Sequence, residues 1–64
     1  MKILIEYDKD KDKFYFNFDG FETETIYGFY AANEKLNELF HNSKNTAEIL
    51  DQVQNSDFGL IIEV

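Results

Sequence analysis

The chain of 64 residues contains no cysteine, no proline, no tryptophan and no arginine, and its single histidine is His41. Without cysteine it can form neither a disulfide nor a cysteine-ligated zinc site, and one histidine excludes any site that needs two. No stretch approaches the ~20 apolar residues of a membrane-spanning helix. We therefore expect a fold held by apolar packing, with no metal, no cofactor and no membrane partner.

Basic residues are also scarce, and this limits the partners of the chain. Six lysines stand against 13 aspartates and glutamates, which gives a net charge of −7. Nucleic acids and anionic membranes attract basic surfaces, so direct binding to either is not expected. The apolar run Ile3–Ile5 is too short for the core of a signal peptide, and we therefore expect a cytoplasmic protein.

Aromatic residues are plentiful, with seven phenylalanines and four tyrosines. Phe14, Phe16 and Phe18 alternate with Tyr15 and Asn17 at the period of two that indicates a strand, and we interpret the three phenylalanines as core. Residues 1–7 predict a preceding strand. The pair Asp19-Gly20 then predicts a two-residue type I′ turn, with the returning strand over residues 21–27.

From Phe29 the apolar period changes to about 3.6 and predicts a helix over residues 29–42. A start near Thr23 or Glu24 is the alternative. Asn45 with Glu48 three residues later is typical of the capped start of a second short helix, which should end at residues 55–57. Residues 58–64 are nearly all apolar and predict a last strand buried on both faces.

These elements predict one compact α+β domain over residues 1–64, in the chain order β-β-β-α-α-β. The alternation of chain direction makes the last strand antiparallel to the first, so the sheet should be four-stranded and mainly antiparallel in the order 4-1-2-3. Both short helices should lie on one face. Two glutamates then fall on the third strand at the sheet edge, where charge discourages aggregation.

No residue set indicates catalysis. The spacing Asp8-x-Asp10-x-Asp12 resembles the start of a calcium loop, but Lys13 stands where such a loop needs glycine, so we expect a solvated connector instead. His41 lacks a cysteine partner, and Ser43 and Ser56 lack the context of a nucleophile. We expect His41 to interact with a helix dipole, and we do not expect an enzyme.

The negative charge is unevenly distributed. Residues 1–18 hold four lysines and four acidic residues, whereas residues 19–64 hold the entire net −7. We expect this acidic part to bind a protein partner with a basic surface, as carboxylates that imitate phosphates and occupy its nucleic-acid groove. The candidate binding residues are Glu22, Glu24, Glu34, Glu38, Glu48 and Asp51.

In composition the chain is similar to many phage-encoded inhibitors and DNA mimics, among them anti-CRISPR and anti-restriction proteins. This resemblance rests on small size, acidity and the absence of cysteine, proline and arginine, and on no motif. It implies an inhibitor that acts in the host cytoplasm.

A second set of residues supports an alternative function. Leu4, Tyr15, Ile26 and Ile61 fall on the opposite parity from the phenylalanine stripe, so we expect them to form an apolar patch on the second sheet face. Such a patch fits a structural or assembly module that forms a homodimer through this face. Its acidity would then serve only solubility.

Overall fold

The computed structural model describes residues 1–42 and 44–64, which form a four-stranded antiparallel sheet and two helices. The strands lie in the order β3-β2-β1-β4, and this confirms the α+β class and the strand order predicted from the sequence. Ser43, expected in a turn, lies outside the described residues. The elements are β1 (Lys2–Asp8), β2 (Lys13–Phe18), β3 (Glu22–Tyr27), α1 (Phe29–Leu39), α2 (Thr46–Gln54) and β4 (Leu60–Glu63).

The core forms between one face of the sheet and the two helices. Phe14 and Phe16 of β2 are fully buried beside Ile3 and Ile5 of β1, and Ile5 pairs directly with Phe16. Because side chains alternate across a strand, these residues all point to the same side of the sheet. The helices and the turn after α1 cover that side with the buried residues Ala32, Leu36, Phe40, Leu50 and Val53.

The turn between β2 and β3 has the predicted conformation but one residue more than expected. Asp19 and Gly20 both have positive φ, 52° and 81°, as a type I′ turn requires. The Phe21 N–H donates to the Phe18 carbonyl over 3.0 Å. The ladder nevertheless pairs Phe18 with Glu22, so β3 begins at Glu22, not at Phe21. Phe21 is an unpaired bulge residue, 95% exposed.

The extra residue corrects the predicted position of Ile26. In a two-residue hairpin Phe18 would pair with Phe21, and Phe14 would then pair with Thr25. The structure instead pairs Phe14 with Ile26. A shift of one residue exchanges the two faces of a strand, so Ile26 packs against the core and is absent from the opposite face. The bulge thereby buries an isoleucine where the expected register would have buried threonine.

The first helix is shorter than predicted and ends at Leu39. His41, at φ 53°, donates its N–H to the Glu38 carbonyl over 3.3 Å, and the Asn42 N–H donates to the Asn37 carbonyl over 2.9 Å. These two bonds form a Schellman motif, which closes the helix. The helix cannot begin near Thr23, because residues 22–27 form a strand.

The second helix begins as predicted. The Asn45 side chain accepts a hydrogen bond from the Glu48 N–H over 3.4 Å and caps the helix. The next residue, Thr46, is buried, and its hydroxyl donates to the Asn37 side-chain oxygen over 2.8 Å, with the Asn33 oxygen 2.5 Å away. This polar contact joins the start of α2 to the middle of α1.

The last strand is an edge strand and is not buried on both faces as predicted. It comprises four residues, of which Ile61 is 67% exposed, and the preceding Phe58 is 89% exposed. The reason is that both helices lie on the same side of the sheet, so the other side of β4 faces solvent. No helix in the described part of the chain is long and apolar enough to cross a membrane.

Two glycines allow a matched test of the packing at the start of β4. Gly59 and Gly20 both have positive φ, 79° and 81°, but a Cβ at Gly59 would lie 2.6 Å from the Ile5 carbonyl oxygen, whereas at Gly20 nothing lies within 4 Å. We expect Gly59→Ala to lower the free energy of unfolding by at least ~3 kcal/mol and Gly20→Ala by about 1 kcal/mol. Urea denaturation measures both, and equal losses would contradict the close approach.

The bulge can be tested by removing its residue. Deletion of Phe21 should force a two-residue turn, turn Ile26 away from the core and lower the free energy of unfolding by at least ~2 kcal/mol. The control is Phe21→Ser, which keeps the residue count and should change stability by less than about 0.5 kcal/mol because the side chain is exposed. A deletion variant as stable as the control would show that the register does not depend on Phe21.

Candidate functional site

The helical side of the molecule, meaning the side of the sheet covered by α1 and α2, carries all six acidic candidate residues. Each of them is exposed to solvent. The two glutamates of β3 lie on this side because they share a strand face with Ile26, which packs against the core. The six residues are Glu22 and Glu24 of β3, Glu34 and Glu38 of α1, and Glu48 and Asp51 of α2.

The local structure gives these carboxylates a regular spacing. Glu22 and Glu24 are two residues apart on a strand, which separates their Cα atoms by about 6.8 Å. Glu34 and Glu38 are one helical turn apart, a rise of about 6 Å along α1. Helix α1 packs on β2 and β3, so these four acids belong to adjoining elements, whereas the two acids of α2 lie on the helix that packs over β1.

One lysine lies among the acids of β3 and α1. The Lys35 Nζ is 3.2 Å from a Glu24 carboxylate oxygen and 5.9 Å from the centre of the Phe18 ring. Within residues 1–42 and 44–64 this is the single ion pair between side chains. The pair links α1 to the edge strand β3. Glu22, Glu34 and Glu38 have no ion pair with a lysine in that part of the chain.

Two of the remaining carboxylates accept hydrogen bonds from neutral side chains. The Tyr30 phenol donates to Glu34 one turn further along α1, and this hydrogen bond, followed by the negative charge of Glu34, raises the pKa of Tyr30. The Asn45 side-chain nitrogen donates to Glu48 over 3.4 Å. Both contacts orient a carboxylate without neutralising it, so the charge stays available to a partner.

The open face, meaning the side of the sheet opposite the helices, carries three of the four apolar candidates. Leu4 and Ile61 are direct cross-strand partners on β1 and β4. Tyr15 pairs with Glu6 and so lies diagonally from Leu4. The fourth candidate, Ile26, was wrongly placed here because its position depended on the two-residue turn. The apolar patch is therefore smaller than expected and lies toward β4.

Two residues that the sequence did not indicate as site residues, Lys13 and Tyr27, complete the open face. The Lys13 Nζ lies over the rings of Tyr15 and Tyr27, 5.1 Å and 5.9 Å from their centres, and Tyr27 is 69% exposed. The alternation of side chains along β3 places Tyr27 on the open face only when the turn before β3 has the correct length. A shallow cleft of about 220 Å³ lies at the other end of this face, lined by Lys2, Leu4, Asn17, Asp19, Gly20 and Ile61.

The loop between β1 and β2 uses its carboxylates to shape its own backbone. One oxygen of Asp8 accepts from the N–H groups of Asp10 (3.0 Å) and Lys11 (3.3 Å). The Tyr7 phenol donates to Asp12 over 2.7 Å, and that hydrogen bond raises the pKa of Tyr7. Among the described residues there is no cluster of three or more histidine, aspartate or glutamate side chains that could hold a metal ion.

The contact between Tyr30 and Glu34 predicts a pH effect. We expect Glu34→Gln to lower the pKa of Tyr30 toward its ordinary value of 10.0, and the control Glu38→Gln to leave it unchanged, as measured by NMR titration of the tyrosine rings. A pKa raised in the folded state contributes stability that is present below pH 10 and is lost as the pH rises through the folded-state value. An unchanged Tyr30 pKa in Glu34→Gln would contradict the contact.

No protein-family model, no curated protein and no solved structure matches this chain. A function for it therefore has to be inferred from the charges, exposures and contacts of its own residues.

Proposed function

We propose that the chain is a small acidic protein-interaction module that inhibits a nucleic-acid-binding protein. Its helical side occupies the basic surface with which that partner binds DNA or RNA, as a DNA mimic does. The module acts without catalysis, cofactor or metal. Its place of action is the cytoplasm, which for a phage-encoded inhibitor of the anti-CRISPR or anti-restriction type is the cytoplasm of the host.

The observation that carries this proposal is the concentration of exposed acidic residues on one side of the molecule. Six exposed acids lie on the helical side, whereas the cations in their part of the sequence are Lys35 and Lys44, and Lys35 is paired with Glu24. Residues 1–18 contain as many lysines as acids. A body with a radius of gyration of 10.5 Å therefore presents one strongly negative side, which attracts a basic partner over a distance of several ångströms.

The rigidity of the acidic elements adds to this attraction. Glu34 and Glu38 project from a helix that is packed on the core through Ala32 and Leu36. Glu24 is held by its ion pair with Lys35. Because the helix and strand that carry these carboxylates are already ordered, binding has to order only their side chains, so more of the electrostatic attraction remains as affinity.

A second candidate function is an assembly module that forms homodimers. It is supported by Leu4 and Ile61, which are adjacent on the open face, and by the 67% exposure of Ile61. On this proposal the acidic residues only keep the chain soluble. The two candidates use opposite sides of the molecule and therefore can be tested separately.

The inhibitor proposal is tested by capturing partners on the immobilised chain from a bacterial cytoplasmic lysate at low salt, followed by titration of the captured protein. We expect that protein to bind nucleic acid, and we expect double-stranded DNA to displace the chain. Affinity should fall at least about tenfold between ~50 mM and ~200 mM salt, because exposed charges are screened over about 8–10 Å.

Matched variants locate the contact. Glu34→Gln with Glu38→Gln, and separately Glu22→Gln with Glu24→Gln, should each weaken binding by about tenfold with the fold retained. Asp10→Asn with Glu63→Gln removes the same charge from a loop and from the last strand, and should have little effect. Binding that is indifferent to salt and to DNA, or equal losses in all three double variants, would refute the acidic interface.

A further inference from the structure

We propose that the outer edge of β4 is a pairing surface for a second copy of this chain. In the resulting dimer, two β4 strands run antiparallel across a two-fold axis and join the two sheets into one sheet of eight strands. This interface is separate from the acidic helical side and does not depend on the function proposed above.

The hydrogen-bond pattern shows which backbone groups of β4 point outward. Met1 and Val64 exchange both backbone hydrogen bonds, at 3.1 Å and 2.8 Å. In an antiparallel ladder such bonded pairs alternate with unbonded ones, so Ile62 bonds to β1 as Val64 does. The N–H and C=O groups of Ile61 and Glu63 therefore face away from β1. In the described chain no strand lies on that side.

The two edges of the sheet differ in how they are protected. The edge at β3 carries Glu22 and Glu24, and charged side chains discourage pairing at an exposed edge. The edge at β4 has a single acid, Glu63, at its end. It is flanked by exposed apolar side chains, since Ile61 is 67% and Phe58 is 89% exposed. The β3 edge also has two exposed aromatic side chains, Phe21 and Tyr27, but its glutamates stand between them, whereas β4 has no charged residue before Glu63.

A two-fold axis through Ile61 gives a self-complementary register. The outward N–H and C=O groups of Ile61 then meet those of Ile61 in the second copy, which forms two hydrogen bonds at the axis. Glu63 stands about 13 Å from its own copy in this register, so the two carboxylates do not face each other. Within β4 the other opposed pair is Leu60 with Ile62, and both are apolar.

Edge pairing also avoids a cost that face-to-face packing would incur. The open face carries Lys2, Glu6, Lys13 and Glu63 beside its apolar residues. Stacking two copies through that face would remove these charged groups from water, which is unfavourable without good partners. Pairing along β4 leaves them solvated. Since each copy has a charge of −7, we expect dimerisation to strengthen as salt rises, which is the opposite of the trend for the acidic interface.

The first test relies on the absence of cysteine from the chain. A single introduced cysteine can therefore form a disulfide only with the same cysteine in a second copy. In the proposed register the two Cα atoms at position 61 lie about 5.5 Å apart, which suits a disulfide. Ile61→Cys should therefore form a covalent dimer under mild oxidation. The control Glu63→Cys lies on the same edge and should remain monomeric. No disulfide at position 61, or equal crosslinking of both variants, would overturn the proposal.

The second test is sedimentation equilibrium of the wild-type chain from about 10 µM to about 1 mM at ~50 mM and ~500 mM salt. We expect dimers that tighten at least about threefold at the higher salt. Ile61→Pro removes the outward N–H and should weaken dimerisation at least about tenfold, whereas Thr25→Pro removes an outward N–H at the β3 edge and should not.

Circular dichroism establishes whether each proline variant folds, and if Ile61→Pro unfolds, the cysteine pair decides alone. A wild type that stays monomeric at both salts overturns the proposal. A folded Ile61→Pro variant that dimerises as tightly as the wild type also overturns the proposal. That result would assign the contact to the open face or to another surface.

Discussion

The position of a single residue in the β2–β3 turn determines how the two sides of this molecule differ. Phe21 lies outside the ladder, and Phe18 pairs with Glu22 instead. This shift turns Ile26 into the core and brings the glutamates of β3 to the helical side, where Glu24 reaches Lys35 over 3.2 Å. With a two-residue turn, the same glutamates would lie on the open face, and only four of the six candidate acids would remain on the helical side.

The second constraint is that a chain of this length can cover its sheet on one side only. The core forms between two short helices and one face of the sheet, so the opposite face of the sheet and both of its edges remain in contact with solvent. The chain protects the β3 edge with charge and leaves the β4 edge apolar. The proposed binding surface on the helical side and the proposed pairing surface at β4 are therefore compatible in one molecule.

Much of the fold could be predicted because strong local signals agreed. The alternation of Phe14, Phe16 and Phe18, the Asn45 cap and the change of apolar period at Phe29 gave the elements, and the alternation of strand direction gave their order. The helix end was misplaced because a left-handed residue, His41, closes α1 in a Schellman motif. That position is usually a glycine, so the sequence contains no signal for the end of the helix. The last strand was expected to be buried on both faces because its residues are nearly all apolar. Composition does not show that both helices cover the same side of the sheet.

The candidate site was also predicted in part from the sequence and decided in part by the tertiary structure. The sequence by itself determined the net charge, the exposed acids of the two helices and the parity of Leu4, Tyr15 and Ile61, since periodicity fixes the face of a residue within its own element. Only the tertiary structure decided the side on which β3 displays its glutamates and where Ile26 packs. Turn conformation is encoded locally by Asp19 and Gly20, but strand register follows from burial of apolar side chains against the whole core, which no local pattern contains.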